Sequence, residues 1–246
     1  DGLAQTAGIL NKFGARSAAS GNTAVLTATA DATSVNGSHT LHVDQLAKQD
    51  TLTTKKFTDS ATDVITAEGA GTKTIRIAVD GTNYDINVSL TGGDTNKTIL
   101  TNLAAAINAD ASASAKVTAS VIQVDSTSSK LVLRSDQTGL DHVMTLTNVT
   151  GTLFTTTDLR DSAAADDATN RGGFIYADSA LDAKFVLDGL SLTRASNTVS
   201  DALTGVTLNL LAAQNGADPS LTLTVGPDKT AIKTSVVTMM KICMFD

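Results

Sequence analysis

Apolar residues recur at every second position through much of this chain. Residues two apart on a strand share a face, so this period predicts half-buried β-strands. The pattern is clearest around two Asp-Gly pairs. Phe185 and Leu187 alternate with polar residues up to Asp188-Gly189, and Leu190 and Leu192 carry the alternation back. Asp-Gly supplies the positive φ values of a two-residue type I′ turn, which sets Leu187 opposite Leu190 and Phe185 opposite Leu192. Likewise Ile75, Ile77 and Val79 lead to Asp80-Gly81-Thr82-Asn83, and Tyr84, Ile86 and Val88 lead away. Taken as a four-residue loop, this pairs Val79 with Tyr84 and Ile77 with Ile86.

Further strands are predicted at Ala24–Ala28, Leu41–Val43, Val117–Val121, Leu131–Leu133, Met144–Leu146, Val206–Leu210 and Leu221–Val225. Asn36-Gly37 reads as a hairpin turn. The matching alternation of the last two strands suggests that they pair with each other. Helical spacing appears in four places. Residues 3–18 read as the tail of a helix. Ile99, Leu103 and Ile107 mark a helix over 96–109, capped by Asp94, Thr95 or Asn96. Residues 199–203 read as a helical turn stopped by Gly205. Ile232, Val236 (or Val237) and Met240 mark a last helix from Asp228 to Ile242.

Polar stretches at 48–72 and 155–173 read as two crossings between domains. The expected fold is mainly β with a few helices (α+β), as two nested β-rich domains on a helical stalk remnant. Residues 1–20 end an N-terminal stalk helix. Residues 21–55 and 172–227 form a discontinuous first β domain. Residues 56–171, with the helix 96–109, form an inserted second one. Residues 228–246 begin a returning helix.

Composition narrows the function. Aromatics are 3% of 246 residues, with no Trp and two Pro, so any core is thin and aliphatic. A net charge of −7 without a basic stripe argues against nucleic acid and anionic membranes. The single cysteine, Cys243, excludes an internal disulfide. No basic segment followed by an apolar core opens the chain, so a cleaved signal peptide is not expected. No apolar run reaches the length of a membrane helix.

Candidate chemistry is sparse. His39 and His42, three apart on a strand, point to opposite faces and suit no shared metal. His142 stands beside Asp141 without a nucleophile elbow. Asp158, Asp161, Asp166 and Asp167 lack the spacing of a calcium loop. Gly92-Gly93 and Gly172-Gly173 match no phosphate loop. Asn36, Asn87, Asn96 and Asn148 open Asn-x-Ser/Thr sequons, as chance allows in a Ser/Thr-rich chain. Arg194 and Asp201 flank Ser196-Asn197-Thr198. Their structural reading is an ion pair beside a loop whose hydroxyls and amides satisfy its own backbone. No catalytic, cofactor or metal residue is assigned.

The run Phe185, Asp188, Gly189, Arg194, Ser196, Asn197, Thr198, Val199, Asp201, Gly205, Val206, Thr207, Leu208 and Leu210 resembles the flagellar hook-associated protein 2 family, the filament caps of bacterial flagella. Gly37 to Ala47 resembles the same family. Leu103 to Asn108, followed by Leu131, Leu133, Ser135, Thr138 and Gly139, is similar to the IN motif shared among flagellar axial proteins. The resemblance implies a structural protein without cofactor or enzymatic activity, which assembles as a ring at the filament tip and promotes flagellin insertion. Its implied partners are itself, flagellin, hook-associated proteins and an export chaperone, with host glycans or mucin where caps act as adhesins. It implies export through the flagellar channel. The family's long terminal coiled-coil-like segments are nearly absent, so the chain is expected to be the central part of a longer protein. Residues 239–246 do not resemble the family's return helix. A hook–filament junction protein or flagellin, and a β-rich adhesin, are the alternatives.

Overall fold

The computed structural model describes residues 14–154 and 175–245. The chain forms two compact units, one from Asp1–Leu46 with Ala183–Asp246 and one from Ala47–Asp182.

The first unit holds a five-stranded sheet in the order β1 (Arg16–Ser20), β15 (Leu221–Pro227), β3 (Gly37–Gln45), β11 (Ala183–Leu187) and β12 (Leu190–Arg194). A second sheet has the order β13 (Thr198–Leu203), β14 (Val206–Leu210), β2 (Leu26–Ala30). The alternating positions Leu41, Val43, Phe185, Leu187, Val206, Leu208, Leu210, Leu223 and Val225 are buried. Full burial of a side chain such as Phe185 contributes roughly 1.5–3 kcal/mol of transfer free energy. A helix, α4 (Lys229–Phe245), closes the chain, and Asp228 Oδ1 caps its first turn by accepting from Thr230 N–H and Ala231 N–H.

Several local expectations for this unit are corrected. Residues 16–20 are strand rather than helix, because pairing with Leu223–Pro227 satisfies their backbone where a short helix would be marginal alone. Residues 1–13, the rest of that expected helix, lie outside the described residues. Asn36-Gly37 does not join a hairpin. The preceding strand pairs with β14 instead, and Asp31, accepting from Thr33 N–H at 2.7 Å and Thr33 Oγ1 at 2.6 Å, bends the chain away. Residues 199–203 are strand, since Val199 pairs with Leu208 and Leu203 with Val206. The last two strands do not pair with each other: β15 lies between β1 and β3.

The second unit contains β4 (Gln49–Thr53), β5 (Phe57–Thr58), α1 (Asp63–Glu68), β6 (Gly71–Val79), β7 (Thr82–Leu90), α2 (Asn96–Ala109), α3 (Ala111–Ser114), β8 (Val117–Asp125), β9 (Ser128–Thr138) and β10 (Thr145–Thr150). β9 pairs with β8 along one edge and with β4 and β5 along the other. The order of the remaining sheet is β10-β6-β7. Ile99, Leu103 and Ile107 of α2 are buried in a core with Leu52, Ile75, Ile77, Ile86, Val88, Val117, Leu131 and Leu133. Thr95 caps α2, its side chain accepting from Thr98 N–H.

Residues 48–72 are not a connector. Asp50, Thr51 and Leu52 are buried, and the polar side chains are spent on backbone: Asp50 Oδ2 accepts from Met144 N–H at 2.7 Å, and Thr54 Oγ1 accepts from Leu131 N–H at 3.0 Å. This strand carries the unit boundary to Leu46/Ala47 in place of 55/56. On the other side Ile175 N–H donates to Thr51 C=O at 2.8 Å, and the boundary falls at Asp182/Ala183 in place of 171/172. The hairpin of β6 and β7 turns in two residues: Val79 pairs with Thr82, Ile77 with Tyr84 and Ile75 with Ile86. Positive φ values of 53° at Asp80 and 71° at Gly81 make the tighter turn. The two-residue shift from the expected pairing leaves every side chain on its expected face.

Candidate functional site

The hairpin of β11 and β12 pairs as its sequence dictates, Leu187 with Leu190 and Phe185 with Leu192, around Asp188 (φ 49°) and Gly189 (φ 84°). The Asp188 carboxylate ties this turn to the neighbouring strand. Its Oδ2 lies 2.7 Å from His39 Nδ1, and its Oδ1 accepts from Thr40 N–H at 2.8 Å. Those contacts, the histidine's first, hold the Asp188 carboxyl below the usual aspartate range.

Beyond the hairpin, Arg194 Nε reaches both Asp201 oxygens at 2.9 Å, and its Nη1 donates to Thr193 C=O at 2.8 Å. The arginine depresses the Asp201 pKa. Ser196 Oγ accepts from Thr198 N–H at 3.0 Å, Asn197 C=O accepts from Leu210 N–H at 2.8 Å, and Thr198 Oγ1 meets Asn209 Oδ1 at 3.1 Å. These bonds tie the loop to itself and to the strands β13 and β14 beside it. Gly205 (φ 70°) lets the chain pass close to Asp31, Thr33 and Ser34, where a Cβ would lie 2.6 Å from Ser34 N. The stretch 182–211 is built to hold strands in register.

A second ionic cluster lies in the other unit. Asp80 Oδ2 accepts from Lys116 Nζ at 2.7 Å and Asp80 Oδ1 lies 2.6 Å from His142 Nδ1, so the lysine first and the histidine second lower the Asp80 pKa. Thus His142 engages Asp80 through its side chain. His39 and His42 engage different carboxylates, Asp188 and Asp44. Among the described residues no hydroxyl or thiol side chain bonds any of the three histidines, and no group of three metal-ligating side chains converges. No described helix is long and apolar enough to cross a membrane. The acidic residues Asp158, Asp161, Asp166 and Asp167, with Gly172-Gly173, lie outside the described residues.

Of the sequon asparagines, Asn96 is buried and bonds Thr58 C=O, Asp63 Oδ1 and Val64 N–H. Asn148 brackets Phe154, donating to its C=O at 2.6 Å and accepting from its N–H at 3.3 Å. The same device recurs at Asn108, the last residue of the Leu103–Asn108 signature. Its side-chain amide donates to Ala119 C=O at 2.8 Å and accepts from Ala119 N–H at 2.9 Å. One amide thus stands in for a missing strand at the edge of β8. Sequence reading singled out this signature without its role. An asparagine at a helix end facing an outer strand is the signal that could have found it.

Comparison with known proteins follows the same division. The family model described as Flagellar hook-associated protein 2 N-terminus matches residues 3–50, and that described as Flagellar hook-associated protein 2 C-terminus matches residues 180–241. These two stretches nearly coincide with the two segments of the first unit. A B-type flagellar hook-associated protein 2 from Pseudomonas aeruginosa is 30% identical over 228 residues, 91% of this chain and 46% of the relative. Flagellar hook-associated protein 2 of Salmonella typhimurium is 33% identical over 164 residues, 67% of this chain and 32% of the relative. The crystal structure of the D1-D2-D3 domains of the flagellar cap protein FliD from Escherichia coli matches with a TM-score of 0.69 and 28% identity, over 94% of this chain and 61% of that one. The D2-D3 structure from the same organism matches at a TM-score of 0.63 and 29% identity, over 87% of this chain and 99% of that one. The chain spans 32% and 46% of the length of these two curated relatives.

Proposed function

The chain belongs to the flagellar hook-associated protein 2 family, and from that premise we propose that it forms the β-rich plate of a flagellar filament cap. In this reading it is a structural, non-enzymatic component. It sits at the filament tip in a ring of identical subunits, reaches that place by flagellar export, and assists the insertion of flagellin. Hook-associated proteins and an export chaperone are its further partners, and host glycans or mucin are ligands only where a cap is also an adhesin.

The observation that carries the reading is the fit of the family's N- and C-terminal models to the two segments that fold together as one unit. A chance match would not respect a unit assembled from stretches more than 130 residues apart in the chain. The hydrogen bonds of the family-like loop from Arg194 to Leu210 support a structural role for it. Electron microscopy of a full-length protein carrying this chain, alone and added to polymerising flagellin, tests it. Rings, and plates on filament tips, are expected. A protein that stays dispersed and leaves filament tips bare would overturn the reading.

A further inference from the structure

Sheet edges invite pairing, and proteins blunt them with charge, proline, bulges or cover. The outer edge of β8 is guarded over only half its length. Ala119 directs its N–H and C=O outward, where Asn108 takes both. In an antiparallel ladder outward residues alternate, so in the uniform register from Val117 to Gln123 the next outward pairs belong to Val121 and Gln123. Among the described residues nothing bonds those four groups. Among the described strands, only β9 pairs with β8. The segment from Val117 to Val124 has no charge, proline or glycine. Its outer-facing side chains Ile122 and Val124 are 48% and 46% exposed. The open window runs from Ser120 to Val124. Asn108 closes one end, and the other ends where the register shifts before Asp125.

We propose that this window is a self-docking site, at which β8 of a second copy of the chain pairs antiparallel across a two-fold axis at Ile122. The occupant follows from the window itself. A second copy brings an edge that is already extended, uncharged and of the same length. Centred on Ile122, the two windows overlap without overhang. Val121 of each copy exchanges both backbone hydrogen bonds with Gln123 of the other, and Ser120 faces Val124. The two Ile122 side chains meet at the axis as a non-hydrogen-bonded pair. No charged residue faces a like charge within the window. Such a contact is isologous and closes on itself, unlike the head-to-tail contacts that build a ring. It stands independently of the cap reading.

The test uses the intact chain in a Cys243→Ser background. Sedimentation velocity up to about 1 mM is expected to show a reversible monomer–dimer equilibrium, in the range expected for a small interface. Ile122→Lys, which places two cations on the axis, is expected to abolish the dimer while leaving the far-ultraviolet circular dichroism unchanged. Ile122→Cys is expected to cross-link two copies under mild oxidation, because directly opposed non-hydrogen-bonded positions sit about 4.5 Å apart at Cα, within disulfide reach. Leu190→Cys, exposed in the other unit, serves as the control and is expected to cross-link at least tenfold more slowly. A wild-type chain that is monomeric throughout, assembly that survives Ile122→Lys, or equal cross-linking by the two cysteine variants overturns the proposal.

Discussion

Replacing Asn108 by alanine deletes the side chain that caps Ala119 at the edge of β8. Two hydrogen bonds disappear together, at 2.8 and 2.9 Å, both to the backbone of buried Ala119. Each such bond contributes about 0.5–1.5 kcal/mol net, so the pair contributes roughly 1–3 kcal/mol. The lower end applies if water reaches the freed groups. For a unit of this size that corresponds to a fall in Tm of roughly 4–10 °C. Urea unfolding followed by circular dichroism measures the loss, and amide hydrogen exchange localises it: Ala119 N–H should lose protection while the Ile75–Ile86 ladder keeps it. Asn108→Asp separates the two bonds. It keeps the acceptor but sets a carboxylate against Ala119 C=O, which raises the folded-state pKa of the new acid. The protonated form is then favoured, so the deficit relative to wild type should be largest at neutral pH, shrink as pH falls through the raised folded-state value, and be smallest below about pH 4. A loss below about 0.5 kcal/mol in Asn108→Ala, with Ala119 protection unchanged, would refute the clamp.

Gly205→Ala should cost roughly 2–4 kcal/mol, since it combines a positive φ with a Cβ driven into Asp31, Thr33 and the Ser34 backbone; chemical denaturation of the purified variant checks it. The Arg194–Asp201 pair is largely exposed, so a double-mutant cycle with alanine should give a coupling of at most about 1 kcal/mol, and neither single variant should unfold the chain. Asp80, Asp125, Asp188 and Asp201 all titrate below the ordinary aspartate range, Asp125 at about 2 under the influence of Thr127 N–H first and Lys56 second. Their stabilisation is present above the unfolded aspartate pKa of about 3.9 and is lost as pH falls through the folded values. Thermal melts from pH 6 to 2 should therefore be nearly flat down to about pH 4 and fall steeply below it.

The parts of this fold that could be read from sequence share a cause. The two Asp-Gly turns and the α2 stripe of Ile99, Leu103 and Ile107 are local signals, set by φ preferences and by burial of one face. The misread parts were decided by distant partners. Arg16–Ser20 became a strand because Leu223–Pro227, at the far end of the chain, lies beside it. Gln49–Thr53 looks like a polar linker, yet Asp50 and Thr51 are buried because neighbouring backbone and side-chain groups satisfy them. Leu221–Val225 has the alternation of a hairpin partner for Val206–Leu210, and alternation alone cannot say which sheet a strand joins. The Arg194 loop was legible as structural because Ser, Asn and Thr at close spacing suit local backbone bonding. The Asn108 clamp was legible only as an asparagine at a helix end, because its partner Ala119 carries no distinguishing side chain to mark the strand it closes.

The most direct test of the cap reading is a graft. This chain would replace the aligned 228-residue region of the Pseudomonas aeruginosa relative, in a strain lacking that protein. The measurement is negative-stain microscopy of filament tips together with monomeric flagellin in the medium. Plates on the tips, long filaments and little free flagellin are the expected result. A chimera that is folded and exported, yet leaves short or absent filaments and flagellin shed into the medium, would contradict the assignment of this chain to the filament cap.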